Sequence, residues 1–547
     1  MNWRLVPGVF LIVLPFWAVI AQSKEPTVYD IVIRNGRVLD GLGNPWVRAD
    51  IAIKGGRFAK IGKVTGRGLR EIDAGGDYVS PGWIDMMDQS GEVLLTNGLA
   101  ENKLREGITS AIAGEDGAPV PSAQLRSYFA QLERQGISLN FGTYYGSAQA
   151  RVEVMGDVAG TPSTQQLDEM KLHVGEAMRA GAMGIATALI YPPASFQSTA
   201  DLIALSKVAA SYGGIYASHM RDESADLLKA VDESIEIGEK AGIQVEIFHF
   251  KGAYAPGWGK LVPQAGALIE AARARGVSIA ADMYVYTAGG TGLDITVPNW
   301  VFADGKAKGL ERLRDPTIRT RLKKEVAAGS EPGWSNLVAA SGGWDHVVLA
   351  NAYNDAYNRY RFKSIAYIAK QLGKAPEDVA WDIVLQAQPH RAMALYYAMN
   401  ETDIETALRF PWMSIGSDAA ANEGSGKSDA LGIHPRAYGN FPRVIAEYVR
   451  QRQVLTLEDA VRKMTSWPAT RMKLYDRGAL REGLWADVTV FNYDKIQDHA
   501  TYENPTAYPT GIDFVLVNGQ VVVDHERHTG AKPGKVLLGP GYARGGA

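Results

Sequence analysis

His219 and His249 each close a short apolar run, Ile215-Tyr216-Ala217-Ser218-His219 and Ile243-Gln244-Val245-Glu246-Ile247-Phe248-His249. Between them Leu227, Leu228, Val231 and Ile235 recur at helical spacing, so the segment reads as strand, helix, strand. Two imidazoles then stand at the same ends of neighbouring parallel strands, the rim on which an α/β barrel gathers its catalytic groups. Short apolar runs alternate with amphipathic stretches from Pro81 to about Met464, as a parallel barrel requires. Another run, Trp412-Met413-Ser414-Ile415-Gly416-Ser417-Asp418, brings Asp418 to the same rim. A carboxylate there suits a proton shuttle and equally suits capping of the next helix; the neighbouring histidines favour the shuttle.

The chain ends follow another period. Alternating residues surround Asn35-Gly36 near the start and Asn518-Gly519 near the end, and both dipeptides predict hairpin turns. These strands suggest one small β domain assembled from residues 27–80 and 466–540, clasping a barrel at 81–465; the alternative is two separate β caps. Residues 298–411 are too long for one connection and rich in Trp and Tyr, so they read as an insertion, either a substrate wall or a structural excursion. Residues 1–21 read as a cleavable export signal: Arg4, an apolar run broken by Pro7 and Pro15, and Val19-Ile20-Ala21 before a cut at Gln22. The run is short for a membrane span, so the expectation is a periplasmic or secreted protein without a stable membrane anchor.

Charge and cysteine usage narrow the partners. With 547 residues and a net charge of -3, the chain carries no basic field for nucleic acid, and small molecules are the expected partners. There is no cysteine, so any metal is held by nitrogen and oxygen.

Several motifs together resemble the N-acyl-D-amino-acid deacylases of the amidohydrolase superfamily. They are Ser80-Pro81-Gly82-Trp83-Ile84-Asp85, the Gly184 to Ala194 run with Tyr191-Pro192-Pro193, the two His strand ends, Gly416-Ser417-Asp418, His434-Pro435-Arg436, Phe441-Pro442-Arg443, and the Asp476 to Gly483 and Arg527 to Ala531 segments. The resemblance implies a metal-bearing (β/α)8 barrel, a β-sandwich built from both ends, and one tightly held Zn2+. Two departures stand out. The places of the superfamily's His-x-His pair hold Met87 and Gln89, which argues against a two-metal site, and the family's Cys ligand place holds Asp116, preceded by Glu115. Two imidazoles and one carboxylate with an open fourth place form a hydrolytic zinc set. Glu115, with the longer reach, is preferred over Asp116; capping of the following turn is the alternative duty for both. An all-nitrogen-and-oxygen set also admits Mn2+ or Fe2+.

The expected reaction is hydrolysis of the amide bond of an N-acyl-D-amino acid, with Asp418 moving the proton. Lys251 and Arg221 lie two residues beyond the ligands and alternate to the same face, so both are expected to meet the substrate carboxylate. The resemblance supports Lys251, and it marks Tyr191 and Tyr284 as substrate-contacting residues; read alone, each is a core or rim aromatic. Where the family offers a hydroxyl this chain has Gly290, beside Thr291. Two rival functions follow from these departures: a related hydrolase of dipeptides, cyclic amides or esters, and a non-catalytic binding protein on the same frame. The sequence leaves oligomeric state open.

Overall fold

The computed structural model describes residues 27–115, 117–330, 333–422 and 434–542, together with residues 1 and 3. Asp116 and nearly all of the expected leader lie outside the described residues. No helix among the described residues is long and apolar enough to cross a membrane.

Eight parallel strands make a closed barrel: β1 (Trp83–Asp88), β2 (Ile108–Ala113), β3 (Asn140–Thr143, continued by Tyr145–Gly146), β4 (Gly184–Ala188), β5 (Ile215–His219), β6 (Gln244–Ile247), β7 (Ile279–Met283) and β8 (Met413–Ile415). Parallel ladders join each strand to the next from β1 to β8. The ring closes beyond β8, where Asp418 N donates to Met87 O at 2.9 Å and Gln89 N donates to Ala419 O at 3.2 Å. All residues of β1, β2, β4, β5 and β7 are buried. Barrel strands covered on both faces bury every side chain, which is why they read as continuous apolar runs instead of alternating ones.

The helix between β5 and β6, Leu227–Ala241, shows how the pattern becomes packing. Leu227, Val231 and Ile235 are buried against the barrel, and Gly242 ends the helix at φ 63°, a left-handed conformation that glycine adopts without penalty. The chain then turns directly into β6, so His219 and His249 emerge side by side.

Strands from both chain ends share one nine-stranded sheet. Its seam is antiparallel pairing of Tyr78–Pro81 with Val488–Phe491, with Val79 opposite Val490. Asn518-Gly519 makes the expected hairpin between Ile512–Val517 and Gln520–Asp524, both turn residues having positive φ. Asn35-Gly36 does not. One strand, Val28–Val38, runs straight through that dipeptide, and Asn35 at φ 60° creates a register shift against Val47–Lys54. The tolerance for positive φ that suits a hairpin turn also suits a β-bulge, so the dipeptide alone cannot distinguish them. The N-terminal hairpin turn lies instead at Gly55-Gly56, between Val47–Lys54 and Arg57–Gly62.

Between β7 and β8 the chain builds a unit with its own apolar core, centred on Trp381, Leu349 and Val301. Its three-stranded antiparallel sheet comprises Gly289–Gly292, Val347–Asn351 and Met393–Tyr396. The excursion thus starts at Gly289, ahead of Pro298, because a Gly-Gly-Thr-Gly strand carries no apolar signal. It overhangs the strand ends where the histidines stand.

Below that rim the barrel holds a buried cation. Lys103 is fully buried, and its ammonium lies 2.9 Å from both Asp85 and Asp88, 2.6 Å from Ser417 Oγ and 2.6 Å from Ala419 O. Asp85 also accepts from Ser417 N at 2.8 Å, so this cluster fixes the backbone immediately before Asp418. Removing a buried cation leaves its carboxylates uncompensated, at a cost of about 3–5 kcal/mol. Lys103→Ala is therefore expected to lose about 3–5 kcal/mol in urea denaturation, and a loss below about 1 kcal/mol would show that Asp85 and Asp88 are held by other groups.

Candidate metal centre

The strand ends place three donor atoms together. Glu115 Oε1, in the turn after β2, lies 2.7 Å from His219 Nδ1 and 2.8 Å from His249 Nε2. The two imidazoles are 4.4 Å apart and nearly perpendicular at 83°. Among the described residues these three form a group whose ligand atoms all lie within 4.8 Å of one another. Burial pushes the Glu115 carboxyl up, but the two imidazoles outweigh it and hold the group well below its ordinary value. Glu115 is thus an anion between two nitrogen donors. His219 Nε2 is buried without a hydrogen-bond partner. Two imidazoles and a carboxylate, largely removed from water and free of sulfur, fit a divalent ion with a place left for water or substrate.

Two of the site residues adopt a conformation rare outside glycine. His249 has φ 35° and Asp418 φ 51°. Such strain persists only where surroundings over-determine it. For His249 the clamp is Asp282, whose Oδ1 accepts from His249 N at 2.9 Å; burial pushes the Asp282 carboxyl well above its ordinary value, and Glu246 adds to this. For Asp418 it is the β1–β8 closure described above. Each distortion turns a side chain inward at the strand end.

Asp418 is set by two donors. Arg436 Nη1 lies 2.6 Å from Asp418 Oδ2, and Gln89 Nε2 donates to Asp418 Oδ1 at 2.8 Å. Burial raises the Asp418 carboxyl above its ordinary value, partly offset by Arg436 and His249. Gln89 also donates to Glu115 Oε2 at 3.0 Å. Gln89, at one of the places where the resemblance implies a histidine, therefore ties the Glu115 carboxylate to that of Asp418. Met87, the other such place, packs in an apolar cluster with Ile84, Ile112 and Phe248.

Glu223 belongs to the same cluster and was not expected from the sequence. It is buried, 2.9 Å from His249 Nδ1 and 3.7 Å from His219 Nε2, and accepts from Lys251 Nζ at 2.7 Å. Its only sequence signal is a position four residues after His219, on a rim already marked as functional.

Of the expected substrate contacts, Lys251, Tyr191 and Tyr284 line a cavity of about 120 Å³ with Glu115, His219, His249 and Asp418. Tyr191 stands edge-on to His219 at 5.2 Å, its hydroxyl 2.8 Å from Thr291 Oγ1. Tyr284 stands edge-on to His249 at 6.5 Å, with its buried hydroxyl lacking a hydrogen-bond partner. Lys251 Nζ and the Arg436 guanidinium lie 5.5 and 4.7 Å from the Tyr284 ring. Arg221 does not enter the cavity. Glu233 grips its guanidinium at 2.8 Å, and the carbonyls of Ser195 and Gln197 take its remaining donors at 3.0 Å each. The chain leaves strand geometry after His219, so the alternation that put Arg221 on the same face does not continue. Beside Lys251 the cavity is lined instead by Arg391, which pairs with Asp294 at 2.9 Å, and by Arg436. Arg436 is carried in by His434, whose Nε2 meets Ala288 O at 2.8 Å and whose Nδ1 accepts from Arg436 N at 3.0 Å.

The chain is similar along most of its length to known amidohydrolases. A model described as the amidohydrolase family matches residues 362–523. The N-acyl-D-glutamate deacylase of Alcaligenes xylosoxydans xylosoxydans is 33% identical over 530 residues, 93% of this chain and 96% of that protein. The D-aminoacylase of the same organism is 30% identical over 542 residues, 94% of this chain and 99% of its own. Among solved structures, the N-acyl-D-glutamate deacylase from Bordetella bronchiseptica, complexed with zinc and a phosphonate mimic of the tetrahedral intermediate, superposes with a TM-score of 0.78 at 28% identity, covering 94% of this chain and 100% of that one. The L-hydantoinase of Arthrobacter aurescens, at 16% identity and a TM-score of 0.55, shares the fold.

The purified protein is expected to carry about one equivalent of Zn, Mn or Fe, measured by atomic emission, and His219→Ala with His249→Ala to lose it. Metal retained at full occupancy in the double variant would place the ion elsewhere.

Proposed function

We propose, for a chain that belongs to the amidohydrolase family and within it to the N-acyl-D-amino-acid deacylases, that it hydrolyses the amide bond of N-acyl-D-amino acids to a carboxylic acid and a free D-amino acid. The observation that carries the reading is Glu115 Oε1 within 2.8 Å of both imidazoles, in the cavity that also holds Asp418. Glu115, His219 and His249 would hold the ion. When bound, a divalent ion supplies Lewis acidity that polarises the amide carbonyl and acidifies water.

The remaining steps fall to the chain's own groups. Asp418 takes the proton from the attacking water and returns it to the departing nitrogen. Gln89 and Arg436 hold its two oxygens in place during both transfers, so no rotation is needed between them. The substrate carboxylate meets Lys251 and Arg436, which flank Tyr284, and the unpartnered Tyr284 hydroxyl offers one more donor. Glu223 orients His249 from the side away from Glu115, the arrangement by which carboxylates fix the tautomer of a ligand imidazole. A cavity this small, roofed by the inserted unit, excludes bulk water from the reacting atoms.

Export belongs to the same proposal. Arg4, the apolar run and the small residues ahead of Gln22 support a mature chain that works in the periplasm or outside the cell. N-terminal sequencing of protein recovered from the periplasm is expected to begin at Gln22; protein starting at Met1 and confined to the cytoplasm would contradict it.

Asp418→Asn tests the mechanism. Asparagine tolerates the φ of 51° and its one oxygen still accepts from Gln89, while its amide nitrogen can neither accept from Arg436 nor take up a proton. The variant is expected to keep its metal and to lose about 10²- to 10⁴-fold in kcat on N-acetyl-D-amino acids. Unchanged turnover would overturn the assignment.

A further inference from the structure

A second and larger cavity adjoins the metal centre. Its volume is about 560 Å³, within the range of small-molecule sites. One wall is the helix Ser147–Met155, another the Tyr191-Pro192-Pro193 turn after β4, and the third is the inserted unit. Ile295, Val297 and Trp334 are buried on that third wall, with Val384 behind them and Leu310 on the helix Lys306–Arg314. Its charged residues are Asp157 and Lys306, both exposed, Glu153, which accepts from Tyr145 at 2.8 Å, and the Arg391–Asp294 pair at 2.9 Å. Ile190, Tyr191 and Arg391 line both this cavity and the one holding the metal ligands.

The arrangement around the ligands gives the direction of a substrate. Lys251 and Arg436 flank Tyr284, on the His249 side, so the amino-acid carboxylate belongs there. The side chain leaves the same carbon as that carboxylate and begins among Ala253, Ala398 and Met399, which pack on Tyr284. The acyl group starts from the carbonyl carbon and leaves past Tyr191, which stands on His219. Beyond Tyr191 lies the apolar cavity. A space of about 120 Å³ at the metal leaves little room for anything larger than a short acyl group, whereas the adjoining volume takes an extended hydrocarbon chain.

We propose that this cavity is the acyl subsite, and that the substrates are N-acyl amino acids bearing a medium or long apolar acyl chain, on the order of eight to twelve carbons, rather than acetyl. The proposal rests on the deacylase reading above and assigns the half of the substrate that reading leaves open. The inserted unit, which supplies most of the wall, is then the part of the fold that selects chain length. No part of the cavity offers a cation to a polar acyl group except Arg391 at the junction and the exposed Lys306, and Arg391 is paired with Asp294 at 2.9 Å.

The test is a series of N-acyl-D-methionines from acetyl to decanoyl, followed by release of free amine, with calorimetric titration of decanoate and acetate in parallel. Each methylene moved from water into the cavity is worth about fourfold in kcat/KM, so octanoyl should exceed butanoyl on the order of 200-fold. Decanoate should bind while acetate does not at the same concentration. Val152→Trp, on the half-solvated face of the helix Ser147–Met155, should flatten the dependence and weaken decanoate binding by projecting an indole into the space. Leu310→Trp does the same from the opposite wall, so misfolding of one variant does not remove the test. Hydrolysis of the acetyl substrate with no gain along the series would overturn the subsite and leave the deacylase reading standing. Hydrolysis of no member would sink the deacylase reading, and decanoate binding no tighter than acetate would then remove the cavity assignment as well.

Discussion

One carboxylate oxygen organises the site. Glu115 Oε1 sits between His219 and His249 on strands that the barrel alone makes adjacent, more than a hundred residues later in the chain. A buried carboxylate is costly unless it is paired, and here two imidazoles offset its desolvation. The same groups, close together and on the dry side of the rim, are the donors a divalent ion selects. Around them a second layer is equally specified. Gln89 ties Glu115 to Asp418, Glu223 ties His249 to Lys251, and Arg436 closes on Asp418 from the far side. Weakening any of these tethers leaves a buried charge without its partner, which explains how a site with so many ionised groups keeps one arrangement.

The barrel holds that arrangement from beneath. Lys103 with Asp85 and Asp88 fixes the closure between the first and last strands, and Ser417 passes that constraint to Asp418 one residue away. Asp282 plays the corresponding part for His249. In both places a buried polar group below the rim imposes a backbone angle that the sequence would not adopt unaided. At the rim this conformation falls on His249 and Asp418, two residues that face the cavity, so the strand ends there are bent to a task.

Much of the architecture was legible because it rests on periodicity. Continuous apolar runs separated by helical spacing identify parallel strands buried on both faces, and Asp418 and the two histidines fall at their ends for that reason. Glu115 was legible only through the comparison of its turn with the family's Cys-bearing one. What the sequence hid depends on where the chain goes after a strand stops. Arg221 was assigned by extrapolating strand alternation past His219, where the backbone turns and Glu233 captures the guanidinium. Arg436 opens the helix Arg436–Arg443, outside any barrel strand, so no strand-spacing argument connects it to Asp418. Glu223 looks like an ordinary acidic residue until the fold places it against His249. Asn35-Gly36 failed for a related reason, since one dipeptide serves both a turn and a bulge, and only the partner strand decides.

With Met87 and Gln89 where the resemblance implies His-x-His, and with no cysteine in the chain, the site still gathers three donors that fit an ion. Gln89 tethers Glu115 to Asp418, Met87 packs in the apolar cluster, and Glu115 is the anion between the two imidazoles. The account therefore stands on where the ion sits. Anomalous diffraction at the zinc edge on crystals of the active enzyme tests this most directly. The expected result is a single peak bounded by Glu115 Oε1, His219 Nδ1 and His249 Nε2, with Asp418 facing it; a fully active enzyme whose only peak lies away from these three atoms, or which shows none, would contradict the account.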